Sequence, residues 1–323
     1  MSTSQNQASY GWATALGLSK EVTYGFAVAP TLYIPFTSDS MTLTNALIQR
    51  MSVRHTKGRT ISSPGQIKVA GSFEVEAEPD TIGQLLALAC GTDTATGSAA
   101  YVHTIKLYSP MPSFTLSADY GLNSVHQWTG VKVESLDISN KMGGLLMAKF
   151  GLIGQNDVIL AANSLSPTFG VLQPYEAEYI TTATLNGVPI PFESFNISLK
   201  NNLAPYFGAG SARLVRNINE KNAEVSGSLI TAYESDILQN LALAGTGVPL
   251  VITYTHPSIA AGSTPYSLTI TLPNIILESA PVDPKRNDVL MSNLKFVGHE
   301  SATGAQDDIK FTITNAVAGN YAP

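Results

Sequence analysis

The chain has 323 residues, enough for two ordinary domains with separate cores, and only 13% of them are charged, about half the usual roughly 25%. A surface this poor in charge suits a protein covered by copies of itself better than a free monomer. The net charge is −6 with Lys and Arg scattered, which argues against a nucleic-acid grip built on basic residues, and a single cysteine, Cys90, excludes an internal disulfide framework.

The opening "MSTSQNQASYGW" has no basic stretch followed by an apolar core, so no secretion signal is expected. No apolar run approaches the roughly 20 residues that span a bilayer, so no membrane insertion is expected. With one cysteine, the expectation is a soluble product made in a reducing cytoplasm.

From Ser40, "SMTLTNAL" alternates apolar and polar residues, as a half-buried strand does. A long loop, "RMSVRHTKGRTISSPGQ", follows. "IKVAGSFEVEA" reads as a second, longer strand in which Gly71 marks a bulge or a close backbone contact. "EPDTIGQLLALACG" reads as a helix, with Asp80 expected in its first turn and Gly91 at its exit. Ile82, Leu85, Leu86 and Ala89 form its apolar face. "GTDTATGSAAYVH" is expected to be a loop. The strands "SFTLSADY", "WTGVKVESLDIS" and "GLLMAKFGLIG" complete the first half.

The second half repeats this grammar. Shifted by 156, the positions 34 to 91 meet 190 to 247 with 14 identities in 58 positions, including Leu43 with Leu199, Asn45 with Asn201, Gly71 with Gly227 and Asp80 with Asp236. Further on the shift is 144, so that "VES" (Val133 to Ser135) meets "LES" (Leu277 to Ser279). The first copy therefore carries 12 residues more, most naturally in its "GTDTATGSAAYVH" stretch. A period above 100 residues means a duplicated domain and not a short solenoid repeat. Strands "FNISLKNNL" and "AEVSGSLITAY", helix "ESDILQNLALAG", then strands "LVITYTH", "YSLTITLP" and "VLMSNLKFVGHE" complete the second copy. The expected fold is mainly β, with two tandem β-sandwich or barrel domains and one flanking α-helix each. The expected division is an N-terminal arm (1–33), domain 1 (34–155), a linker (156–189), domain 2 (190–299) and a C-terminal tail (300–323). The first 20 residues and the tail, rich in Ala, Gly, Ser and Thr, are expected to be ordered only by neighbours.

Catalytic signatures are missing from the sequence. His55, His103, His126, His256 and His299 form no HxH, HExxH or HxxxH spacing, and neither GxSxG nor GxxxxGK[ST] occurs. Cys90 lies in the apolar helix and reads as a buried structural thiol. Ser124, His126 and Trp128 fit strand alternation. The copies share no His or Cys position, so no catalytic residue, cofactor site or metal site is assigned. The sequon Asn196-Ile197-Ser198 falls in an expected strand and is discounted.

Two charged patterns remain. Glu74, Glu76 and Glu78 alternate along one strand, with Glu234 at the matching place in the second copy. They form either a solvated outer face or the lining of an aqueous passage through which something negative must slide. The first long loop carries Arg50, Arg54, Lys57 and Arg59, and its counterpart carries Arg213 and Arg216. It reads either as a solvated hairpin or as an arm that pairs with acidic groups of a neighbouring subunit.

"TYGFAVAPT", then "LYIPFTSDSMTL", then "KVAGSFEVEAEPDTIGQLLALACG" resemble, in this order, the major tail tube proteins of long-tailed, siphovirus-like bacteriophages. The second copy lacks the first phrase and has a less acidic strand before its helix. The resemblance implies a β-sandwich domain with a flanking helix, inner sheets that join around a ring, and a long loop touching the next ring. Tail tubes commonly present six such domains per ring, so two domains per chain imply a homotrimeric, pseudo-hexameric ring that stacks. It also implies a virion component assembled in the bacterial cytoplasm and partners among the tail terminator, tape measure and baseplate or tip proteins. Double-stranded DNA would pass without specific binding. The other readings are the inner tube of a contractile tail or secretion device, a sugar-binding adhesin, for which Trp12 and Trp128 are few aromatics, and an enzyme.

Overall fold

A computed structural model describes residues 10–55, 57–59, 61–121, 124–161, 165–283 and 289–321. In chain order the first half holds β1 (Ala15–Lys20), β2 (Leu32–Ile34), β3 (Ser38–Asp39), β4 (Thr42–Ile48), β5 (Ser63–Glu76), α1 (Ile82–Cys90), β6 (Gly91–Thr96), β7 (Tyr101–Leu107), β8 (Phe114–Asp119), β9 (Val125–Lys141), β10 (Met147–Gly154) and β11 (Asn156–Leu160). The second half holds β12 (Ile180–Leu185), β13 (Val188–Pro189), β14 (Phe192–Lys200), β15 (Ala204–Tyr206), β16 (Asn217–Asn219), β17 (Glu224–Ala232), α2 (Ile237–Ala244), β18 (Val248–Ala261), β19 (Thr264–Ser279), β20 (Val282–Asp283), β21 (Met291–His299) and β22 (Lys310–Asn315).

Antiparallel pairing builds one layer in the order β4–β5–β10–β9 and then β14–β17–β21–β19. The registers of the two halves agree pair by pair. Val69 faces Gly154 and Phe73 faces Phe150; at the shifted positions Val225 faces Gly298 and Leu229 faces Leu294. Both halves also slip register at the "ES" dipeptide, between Gly151 and Leu152 on β10 opposite Glu134 and between Leu277 and Ser279 around Glu278. The halves meet where β14 pairs with β9, Leu199 opposite Leu136 and Ile197 opposite Ile138.

The long strands β9 and β19 each continue into a second layer. There β9 pairs with β8 and β11, and β8 continues to β1 and β2. In the second half β19 pairs with β18 and β22, β18 with β12, and β22 with the β6–β7 hairpin. The core lies between the layers, where Phe73 stacks on Phe150 at 5.1 Å between ring centroids and Leu136, Ile138, Ile197, Leu199 and Phe296 are buried. Each such side chain contributes about 1.5–3 kcal/mol relative to exposure. Gly71 and Gly227 are places where a second backbone comes close, as the strand pattern requires: a Cβ at Gly71 would lie 2.6 Å from Ser40 O, and one at Gly227 2.6 Å from Asn196 O.

Several segments differ from the reading above. Of residues 1–33, read as an arm, residues 1–9 lie outside the described residues, and the rest contain β1 and the start of β2, with the buried Leu16 and Leu18 on β1. Residues 156–189, read as a linker, contain β11, β12 and β13. The tail 300–323 contains β22, held between β19 and β7 within the chain, with Ile309, Phe311 and Ile313 buried. The expected loop after α1 is the β6–β7 hairpin, whose His103 Nδ1 lies 2.9 Å from Asp93 Oδ2 in a fully buried pair. The His103 Nε2 atom lies 3.0 Å from the Val317 carbonyl, and the Tyr321 ring stacks on the imidazole at 4.0 Å. Threonine, glycine and alanine hide this hairpin because its burial comes from the opposite end of the chain. Helix α1 starts at Ile82, so Asp80 precedes its first turn, and Asp236 is the N-cap residue of α2 without a side-chain cap bond. Gly91, at φ 105°, ends α1 in the left-handed conformation that favours glycine.

Candidate functional site

The eight-stranded layer has one face in the core and one polar face. On the polar face Glu74 lies opposite Lys149, Lys149 opposite Asp137, and Asp137 opposite Ser198. A cation thus stands between the two acids in the ladder. The matching positions of the second half are Ile230, Asn293 and Pro281, so the charged row belongs to the first half alone. Glu76 is the last residue of β5. Glu78 lies beyond it, in the turn whose carbonyl accepts the Thr81 and Ile82 N–H groups, and Glu234 is exposed in the turn before α2. The alternation predicted from sequence therefore holds within the strand for Glu74 and Glu76 and stops there.

Burial, then the nearby Glu76 and Asp80 carboxylates, push the Glu78 carboxyl from 4.5 up to about 7. The folded chain therefore keeps this proton over a range in which the unfolded chain has lost it. Its stabilising contribution is complete below about 4.5 and declines as pH rises through 7. Thermal melts at pH 5 and pH 7.5 should show the Glu78→Gln variant losing less stability over this interval than the parent chain.

Arg50, Arg54, Lys57 and Arg59 lie on the exposed stretch between β4 and β5. Arg213 is elsewhere: its Nε donates to Gly65 O at 2.6 Å and its Nη2 to Asn45 Oδ1 at 2.9 Å, so the loop after β14 reaches back onto the first half of the same chain. Arg216 is exposed on that loop. The same loop places Glu220 against Lys132, with Oε1 2.7 Å from Nζ, while Ser109 Oγ and the Met111 N–H also donate to its carboxylate.

Asn201 fastens the β14–β9 junction. Its Nδ2 donates to Ala89 O at 2.9 Å and Val133 O at 3.0 Å, and its main-chain N–H donates to Glu134 O at 2.8 Å. Asn201→Ala leaves two carbonyls without this donor in a buried place, and the melt should record a loss of about 1–3 kcal/mol. The repeat marked Asn45 and Asn201 as identical, but the acceptors are remote in sequence and gave no signal. Glu21 gave none either, although its buried carboxylate accepts from Gly25 N, Ser113 Oγ, Thr115 Oγ1 and Gly130 N.

Beside these surfaces the reactive side chains are quiet. Cys90 is buried, and burial pushes its thiol up to about 12, so it is a neutral packing group at physiological pH. His126 faces Asp157, 3.2 Å from the carboxylate, and stacks on Trp128. Among the described residues no three His, Cys, Asp or Glu side chains are grouped to hold a metal, and no helix is long and apolar enough to cross a membrane.

The model of the phage tail tube protein family matches residues 11–317. The chain belongs to the phage tail tube protein family. No curated protein matches it. Membership makes the chain a structural component of the virion that self-assembles into a tube and associates with other tail proteins. The mainly β, two-layered fold agrees with a tail tube β-sandwich. For such a protein the features that matter are sheet edges and sheet faces, and the match runs through both halves of the chain, from before β1 to beyond β22.

Proposed function

We propose that each chain supplies two adjacent tube domains of one ring, β1 to β11 (15–160) and β12 to β22 (180–315), and that three chains close the ring. The supporting observation is the β9–β14 junction: the last strand of the first four is paired to the first strand of the second four, leaving β4 at one end and β19 with β20 at the other. A contact that joins tail to head generates rings when its rotation closes, and a separate axial contact stacks them. Three chains contribute three times eight strands to the inner wall, and the open edges, which would otherwise promote random aggregation, are consumed.

The polar face forms the bore in this reading. Glu74 and Glu76 belong to the lining together with Lys149 and Asp137, which makes it mixed in charge rather than a row of acids; Glu78 and Glu234 sit at turns on its rim. DNA has one charge per about 1.7 Å of axis, and a bore without a basic surplus lets it slide. Arg50, Arg54, Lys57 and Arg59 reach the neighbouring ring in the stack. Tube ends meet the terminator and the baseplate or tip proteins, and the tape measure occupies the bore before DNA does. Negative-stain microscopy of the purified chain should show hollow tubes, and native mass measurement of released rings should give three chains. Solid fibres, or rings of six chains, would overturn the stoichiometry.

A further inference from the structure

The β9–β14 junction lies inside one chain, and the first half carries the same strand residues with no neighbour on them. Leu43 is 40% exposed where its counterpart Leu199 is 0%, and Leu47 is 59% exposed where Leu203 is 7%. All seven residues of β4 are exposed, although their sequence alternates as a half-buried strand does. On the opposite end α1 is almost wholly buried, whereas no residue of α2 is. The first strand of one end and the last strand and helix of the other are uncovered at matching positions.

Resting on the ring reading above, we infer that a second copy of this chain pairs its β4 with the β19–β20 edge in the register of the internal junction. Applying the shifts of 156 and 144 to the β14–β9 pairs puts Thr44 opposite Ser279, Leu43 opposite Ala280, Thr42 opposite Pro281 and Met41 opposite Val282 of the neighbour. The same shifts carry the Asn201 clasp to Asn45, whose Nδ2 meets the carbonyls of Gly245 and Leu277 on the adjoining copy. The chain already aims that amide: Arg213 Nη2 holds Asn45 Oδ1 at 2.9 Å, which leaves the nitrogen end for the neighbour. The bulge that presents the acceptor at Val133 recurs at Leu277. Asn45 is a positioning residue that fixes the rung of the ladder, because a slip of one residue would turn Leu43 out of the core.

Disulfide trapping in assembled tubes of the full chain tests the register. Thr44→Cys with Ser279→Cys places directly opposite positions together, within reach of a disulfide. Thr42→Cys and Ala46→Cys, each with Ser279→Cys, sample slips of two residues either way. Under mild oxidation the first pair should yield chain-to-chain dimers and trimers at least tenfold faster than either slipped pair. A slipped pair that links faster, in tubes of normal appearance, overturns the register while the ring stands. A parent chain that never forms hollow rings overturns the ring and this inference together. Asn45→Ala should raise the concentration needed for polymerisation by about tenfold, while the unassembled chain loses only its exposed bond to Arg213 and its melting temperature changes little. Polymerisation at the parent concentration overturns the clasp.

Discussion

Leu43→Asp and Leu199→Asp, one substitution at two repeat-matched positions, should give opposite outcomes. At Leu199, which is fully buried, aspartate removes about 1.5–3 kcal/mol of apolar burial and places a carboxylate without a partner in the core, at a cost of several kcal/mol more. That sum consumes much of the 5–15 kcal/mol by which a typical domain is stable, so the variant should appear as aggregate or degraded chain. Leu43 is 40% exposed in the single chain, and aspartate there should change its melt by roughly 1 kcal/mol or less. In the proposed ring the same side chain would enter the core of the neighbouring copy, and the aspartate should abolish tubes. Circular dichroism melts measure the first effect and sedimentation the second; a folded Leu199→Asp chain, or normal tubes from Leu43→Asp, would contradict the account.

The second large effect should come from Lys132 and Glu220, which tie the long loop after β14 to the first half. Their 2.7 Å contact is nearly shielded from water, with side chains 8% and 16% exposed. Removing one partner of such a pair costs about 3–5 kcal/mol, because the remaining charge is left uncompensated. Glu220→Ala should lie toward the upper end, since Ser109 Oγ and the Met111 N–H lose their acceptor as well. The pair replaced together, Lys132→Met with Glu220→Leu, should recover part of the loss, as buried ion pairs often exchange with apolar packing at little net cost. Chemical denaturation of the two single variants and the double variant gives the coupling directly.

Strands, helices and their repetition were readable because they follow local rules. "SFEVEA" alternates and becomes the end of β5; "IGQLLALAC" has a helical apolar face and becomes α1. Segments whose burial is supplied from far along the chain were not readable. The β6–β7 hairpin and the tail each look like loops, and each is a strand because the other is there: Phe311 faces Ile105, and Ile313 faces His103. Of the polar face, Glu74 was legible from alternation, but Lys149 and Asp137 beside it depend on which strands pair. In β4 the pattern spoke of a half-buried strand and the isolated chain exposes all of it. That pattern is the one the proposed pairing with a second copy would bury.

Among the described residues the hairpin of β6 and β7 has no counterpart in the second half. In a closed ring of three, the strand ladder of the bore would therefore repeat six times per revolution, and its charged row and the outer surface three times. A protein gripping the outside of such a cylinder would find half as many footholds as the channel has repeating sheets. Each disc laid on the last would have three equivalent seatings, so the winding angle of the whole tail would be set by its rind and not by its wall.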